Sequence, residues 1–236
     1  MTWVGASVPR HEDRRMLLGR GRFTDDMPAA GLLHAAFVRS PLAAAEVRRI
    51  DLSAALAAPG TRAAFTAADL GNPALLAVLE RPEFVPTEFP LLAGGQVRHV
   101  GEPVAVVVAD DPYLAEDAAE LVDVDYAAHP AVASLDAAGA ADAHPVHAGL
   151  AGNCLVDLTM FDDDRLDGIF AAAPAVISAT VSSGRLAALP LEGRVCRAAW
   201  DDRDGQVVLH VSTQVPHQVR SAVAQAFHIP ERSVRV

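Results

Sequence analysis

The sequence predicts an α+β fold in two parts, and three observations carry that reading. β-prone runs and helical patterns follow one another without a fixed repeat. One strand–helix–strand unit stands out at residues 104–126. A stretch rich in Ala, Pro, His and Gly, residues 127–152, then separates it from a second set of elements. The chain has 236 residues, enough for one large domain or two small ones with a real core. Hydrophobic residues make up 51%, much of it Ala, and aromatics only 5%, so the core is expected to pack helix on sheet through Ala, Val and Leu.

The elements follow in order. Residues 1–17 are polar and Arg-rich and read as an N-terminal arm. Residues 32–38 read as a strand closed by Arg39-Ser40-Pro41, and a short Ala-rich helix starts at Asp51-Leu52-Ser53 and ends at Pro59-Gly60. Residues 61–66 are a second strand. Between Gly71 and Gly95 stand Pro73, Pro82, Pro86 and Pro90, which predict a long loop without regular structure. Val104-Ala105-Val106-Val107-Val108-Ala109 is continuously apolar, as expected of a strand covered on both faces. Asp110 or Asp111 caps the next helix with Pro112 in its first turn; Leu114, Ala118, Leu121 and Val122 form its apolar face. A strand at 122–126 completes a unit that suggests a crossover connection. Residues 131–150 are expected to be a linker. A strand near 155–160, a helix over 166–172 and a β-prone run over 175–183 follow. Residues 195–200 and 207–212 flank the turn Asp201-Asp202-Arg203-Asp204-Gly205 as a hairpin, and a helix over 217–227 leads to a strand at 234–236.

Composition excludes some functions. A net charge of −11 opposes nucleic acid and anionic lipid, so neither is an expected partner. Every basic residue is Arg; without Lys, Schiff-base or phosphate-loop lysine chemistry is out. Cys154 and Cys196 lack metal-ligand spacing and read as reduced, half-buried thiols of a cytoplasmic protein, with one disulfide as the alternative. The N-terminus lacks the basic and apolar regions of a signal peptide, and the apolar run 103–109 is too short to span a bilayer. Gly19-Arg20-Gly21 and Gly94-Gly95 are turns rather than dinucleotide fingerprints. His144-Pro145-Val146-His147 has no third ligand at metal spacing, and Asp162-Asp163-Asp164 lacks the alternation of a calcium loop.

Several segments together carry a resemblance. They are Val4-Gly5-Ala6-Ser7-Val8-Pro9-Arg10, Leu18-Gly19-Arg20-Gly21-Arg22-Phe23-Thr24-Asp25-Asp26 and the run Leu33 to Pro41. The run Val97 to Ala109, the run Ala115 to Tyr126, and Ser212-Thr213-Gln214 with Arg220 complete the set. In this order they resemble the molybdopterin-binding large subunit of the molybdenum hydroxylases: xanthine dehydrogenase, aldehyde oxidase and aerobic carbon monoxide dehydrogenase. The resemblance implies an α/β hammerhead domain over residues 18–130, then the opening strands and helix of a molybdopterin-binding domain over 151–236, which is expected to be incomplete. It also implies oxidative hydroxylation of a small molecule, such as an aldehyde or N-heterocycle, at a molybdenum-molybdopterin centre. Electrons would leave through iron-sulfur clusters and FAD on partner subunits, and the remainder of the molybdenum subunit would be a further partner.

At residue level the resemblance singles out Gln214, which matches the family glutamine that hydrogen-bonds the apical oxo group of the molybdenum. The chemistry agrees: a carboxamide donates to such an oxygen, whereas a carboxylate repels it. The strand-to-helix junction at Gln214-Val215-Pro216 also leaves helix N-terminal N–H groups nearby, which favours anionic atoms. The departures are as informative. The family's Gly-rich loop and its catalytic glutamate are absent. Leu189-Pro190-Leu191-Glu192-Gly193-Arg194 resembles the family's Met-Glu-Pro-Arg stretch with Gly193 in place of Pro. Neither Glu102 nor Glu192 matches the family base, so the catalytic residues stay unassigned. A cofactor-independent biosynthetic enzyme or binding module reusing the hammerhead scaffold is the alternative, and a bridging subunit is a third.

Overall fold

The computed structural model describes residues 3–77, 81–190 and 192–236. They form two compact units: Leu32–Arg185, and the residues up to Gly31 together with Leu186–Val236. The N-terminal stretch carries a short helix, α1 (Asp13–Leu17), where an irregular arm was expected.

In the unit Leu32–Arg185, β1 (His34–Arg39) alternates half-buried and exposed residues, as a strand with one covered face does. β2 (Ala45–Asp51) is a strand not anticipated from sequence. Its charges at Glu46, Arg48 and Arg49 mask the inward Ala45 and Val47, and a bulge between Val47 and Arg49 breaks the alternation. The helix α2 (Ser53–Ala57) and β3 (Thr61–Thr66) follow the sequence reading. The proline-rich region departs from it. β4 (Ala74–Ala77) and β5 (Thr87–Pro90) pair antiparallel, with Pro90 opposite Ala74 at the end of the ladder. Pro73, Pro82 and Pro86 fall outside the ladder and Pro90 at its end, so the hairpin loses few hydrogen bonds to them.

After β6 (Gln96–Val97) comes β7 (Pro103–Ala109), the middle strand of the sheet β1-β7-β3 and antiparallel to both neighbours. Ala105, Val107 and Ala109 are buried; Val107 meets Ala55 of α2 and Ala118 of the next helix. Val104, of opposite parity, is buried against Ala45, Val47, Ala93 and Val97. Both faces are therefore used, which is why the strand reads as continuously apolar. The helix α3 (Pro112–Glu120) is capped by Asp111, whose Oδ1 accepts from the Leu114 N–H at 2.9 Å. Its buried residues are Ala115 and Ala118, while Leu121 is exposed. β8 (Asp123–Ala128) joins a different sheet, β6-β2-β8, so no parallel crossover forms. Antiparallel neighbours β1 and β3 already flank β7 on both edges.

The stretch 131–150 contains α4 (Leu135–Gly139), capped by Ser134 Oγ. Asn153 ties it down: its Oδ1 accepts from the Val146 N–H at 2.8 Å, and its Nδ2 donates to His144 O at 3.0 Å. The strand expected near 155–160 is reduced to a single bridge between Phe84 and Val156. The helix expected over 166–172 is present as α5 (Leu166–Ala172), and the run 175–183 joins no ladder.

The second unit is built on the expected hairpin, β9 (Cys196–Asp201) with β10 (Gln206–Val211). Asp201 Oδ1 accepts from the Arg203 N–H at 2.9 Å, and Gly205 takes a φ of 62°, which suits glycine. α6 (Pro216–Ala226) packs Val219, Val223 and Ala224 against Leu209 and Val234, and Phe227 stays exposed. β11 (Val234–Arg235) then adds parallel to β10, giving the order β11-β10-β9. No helix among the described residues is long and apolar enough to cross a membrane.

Candidate functional site

Gln214 stands between β10 and α6, and its neighbours spend their polar groups on holding the junction. Ser212 does most of this. Its N–H donates to Val195 O at 3.1 Å, its Oγ donates to Gly193 O at 2.8 Å, and that oxygen accepts from the Val195 N–H at 3.3 Å. Thr213 Oγ1 accepts from the Val215 N–H at 3.1 Å, a tight side-chain turn across Gln214. Gln214 itself is exposed, and its carboxamide has no partner among the described residues.

The helix start adds donors. Val215 offers no side-chain cap, and Pro216 takes the first helical position. Val219 N–H already bonds Val215 O at 3.1 Å, which leaves the N–H groups of His217 and Gln218 without an intrahelical acceptor. A carboxamide without a partner among the described residues, followed in the chain by two helix-start donors, suits oxygen-rich or anionic atoms, so the residues present fit a metal-oxo cofactor.

Three segments of the resemblance come together in this unit. Ser212 binds the Gly193–Val195 backbone. Glu192 Oε1 accepts from the Thr24 N–H at 3.0 Å, and Arg197 Nη1 reaches Met27 O and Pro28 O, each at 3.4 Å. Residues 18–28 are thereby pinned on the hairpin that carries Gln214. These contacts were not readable from sequence, because the Thr24–Glu192 partners lie 168 residues apart. Glu192 is thus an anchor. Leu191 lies outside the described residues.

Arg220 faces Glu231: Nη2 lies 2.8 Å from Oε2, and Ser221 Oγ donates to Oε1 at 2.6 Å. The Ser221 hydroxyl first, with Arg220 and His217 behind it, holds the Glu231 carboxyl below its ordinary range. Beside this pair an open cavity of about 560 Å³ is lined by Gln206, His217, Arg220, Glu231 and Arg232; Gln214 is not among its walls.

The other candidates lie in the unit Leu32–Arg185. Glu102 is buried; its carboxylate accepts from the Arg98 N–H and lies 3.6 Å from His99 Nδ1. Its backbone N–H and C=O bond His99 O and the Ser40 N–H, so it locks the 98–103 turn rather than facing open space. His144 stacks on His129 with ring centroids 5.8 Å apart, and burial, then Arg98, lowers the His147 pKa. Among the described residues no group of three or more His, Cys, Asp or Glu is placed to hold a metal ion. Both cysteines are free, and both are exposed where half-burial was expected.

Two family models match the chain. Residues 18–130 match the aldehyde oxidase and xanthine dehydrogenase a/b hammerhead domain, and residues 146–236 match the molybdopterin cofactor-binding domain. These ranges cut the chain differently from its compact units, since residues 18–31 group with the C-terminal part. Among curated relatives, the nicotine 6-hydroxylase large subunit of Paenarthrobacter nicotinovorans is 37% identical over 94% of this chain and 27% of its own length. The carbon monoxide dehydrogenase large chain of Hydrogenophaga pseudoflava is 34% identical over 95% of this chain and 29% of its own. Quinoline 2-oxidoreductase from Pseudomonas putida superimposes with a TM-score of 0.88 at 39% identity, covering 98% of this chain and 29% of that one. The chain therefore spans under a third of the length of these relatives. The fold is that of the hammerhead domain followed by a segment of the molybdopterin cofactor-binding domain.

Proposed function

Given that the chain belongs to the molybdenum hydroxylase large-subunit family, we propose that it serves as the N-terminal piece, or one half of a split version, of such a subunit. It works in oxidative hydroxylation of an aldehyde, an N-heterocycle or a similar small molecule. Its cofactor site is completed by further polypeptide, and iron-sulfur and FAD subunits carry the electrons away from this cytoplasmic complex. Relatives more than three times the length of the match support the need for more chain, and these relatives are a large subunit and a large chain.

The molybdenum-molybdopterin group, when bound, supplies the oxidative chemistry. Gln214 holds and orients it by donating a hydrogen bond from its carboxamide. The N–H groups of His217 and Gln218, at the start of the helix that follows, add partial positive charge. Ser212 and Thr213 keep the Gln214 backbone in place through the bonds described above. The observation that carries this reading is the exposed, unspent carboxamide within a junction whose other side-chain oxygens are all engaged.

The test is co-purification of the tagged chain with the product of the adjacent gene, followed by metal analysis of the complex and of the chain alone. Molybdenum is expected in the complex only. Gln214→Ala should lower the molybdenum content of the complex and leave the unfolding midpoint of the chain unchanged, because an exposed, unbonded side chain contributes within about 0.5 kcal/mol. A chain that is monomeric, free of metal and functional on its own would refute the proposal.

A further inference from the structure

Four of the nine histidines, His99, His129, His144 and His147, meet where residues 129–150 lie against β6 and the residues before β2. This strap is held at several points. The His129 N–H donates to Ala44 O at 2.9 Å, and Arg98 Nε donates to Val146 O at 3.2 Å. Pro130, Val132, Pro145 and Val146 close over Ala43, Ala44 and Val97, leaving a gap of about 20 Å³. His144 stacks on His129, so a proton on each imidazole puts two cations face to face 5.8 Å apart. His147 is half-buried beside Arg98. Burial first, then the Arg98 guanidinium, holds its pKa below the ordinary 6.5, and Glu102 pulls the other way. Glu102 is already engaged: it accepts from the Arg98 N–H and lies 3.9 Å from Arg98 Nη1 and 3.6 Å from His99 Nδ1.

We propose that the strap 129–150 is a pH-operated latch. It is closed on β6 and the residues before β2 while His144 and His147 are neutral, and it is released from Arg98 and His129 when they take up protons. Because His147 in the closed strap holds its proton more weakly than a free histidine, the closed form loses ground as pH falls below 6.5 and is untouched above it. The stacked pair acts in the same direction, since separating the rings relieves the repulsion between two imidazolium charges. The strap includes the connection between the two regions matched by family models, residues 18–130 and 146–236. Its release lengthens the free tether between them. The latch is a property of this chain's own fold and stands whether or not a further polypeptide completes the subunit.

The test is backbone amide exchange of the chain, read by mass spectrometry from about pH 8 to about pH 5 and corrected for the intrinsic pH dependence of exchange. Protection of 129–150 relative to β7 is expected to fall about tenfold over that range while β7 holds, with the midpoint below pH 6.5. The His147 imidazole signal, followed by NMR in the same series, is expected to shift over the same interval. His144→Phe combined with His147→Phe keeps both rings and takes up no proton, so the double variant should stay protected at the acid end. Protection that is flat with pH, an opening centred above pH 6.5, simultaneous loss of β7, or a His147 titration separate from the opening overturns the latch. So does a double variant that is closed at the alkaline end and still opens at the acid end. A double variant already open at the alkaline end shows that the imidazoles are needed for packing, and the coincidence of titration and opening in the parent then decides.

Discussion

Replacing Ser212 by alanine removes one hydroxyl that makes two hydrogen bonds, at 2.8 Å to Gly193 O and 3.3 Å from the Val195 N–H. A neutral hydrogen bond contributes about 1 kcal/mol net. Gly193 is exposed and its carbonyl regains water, whereas Val195 is half-buried and its N–H is rehydrated only in part. The backbone bond from Ser212 N–H to Val195 O at 3.1 Å survives the substitution. The expected loss is therefore about 1–1.5 kcal/mol, short of the full two-bond sum. With a urea slope of about 1–3 kcal/mol/M, the midpoint falls by roughly 0.3–1.5 M at unchanged slope. The assay is urea unfolding followed by tryptophan fluorescence, since Trp200 lies in the same hairpin. Ser212→Thr, which keeps the hydroxyl, should restore most of the loss. A midpoint within about 0.2 M of the parent for S212A would show that the 193–195 backbone is held by other contacts, and the argument that Ser212 positions the Gln214 junction would fail.

Three further outcomes follow from the geometry. Asp111→Ala removes the side-chain cap of α3 and should cost about 1 kcal/mol, measured by chemical unfolding. Gly60→Ala places a Cβ 2.5 Å from Leu114 Cδ1 at a φ of +76°, and should cost about 1–3 kcal/mol by the same measurement. The Glu231 carboxyl sits below its ordinary 4.5, with the Ser221 hydrogen bond as the largest cause. A depressed carboxyl stabilises the fold above its unfolded-state pKa and loses that contribution as pH falls through the folded value. The unit holding β9–β11 should therefore lose stability below pH 4.5, and Glu231→Gln should flatten that acid limb in a thermal-melt series from pH 6 down to pH 3.

Local chemistry was legible in the sequence wherever neighbours along the chain decide the outcome. The Asp111-Pro112 start of α3, the Asp201–Gly205 turn between β9 and β10, and the helix after Pro216 all appear where the residues place them. The apolar run 104–109 announced a strand used on both faces, and Val107 and Val104 show how. Gln214 was singled out through resemblance and is exposed at its strand–helix junction; its cofactor role awaits the test above.

Pairing was what the sequence left open. Nothing local told β7 to sit between antiparallel neighbours, or sent β8 to another sheet, because strand order depends on which edges meet across long loops. The prolines of 71–95 predicted a long loop without regular structure, yet they fall at or beyond the ends of a hairpin ladder, where a missing N–H costs little. The run 175–183 has the composition of a strand and finds no edge within the described chain. By itself, then, the sequence determined local conformation and charge, since each depends on a few consecutive side chains, while the candidate ligand-facing residue came from the resemblance. Only the tertiary structure decided that Glu192 and Ser212 are anchors, that Arg220 is occupied by Glu231, and that the Gln214 carboxamide has no partner among the described residues. Those outcomes turn on hydrogen-bond partners brought together from distant parts of the chain.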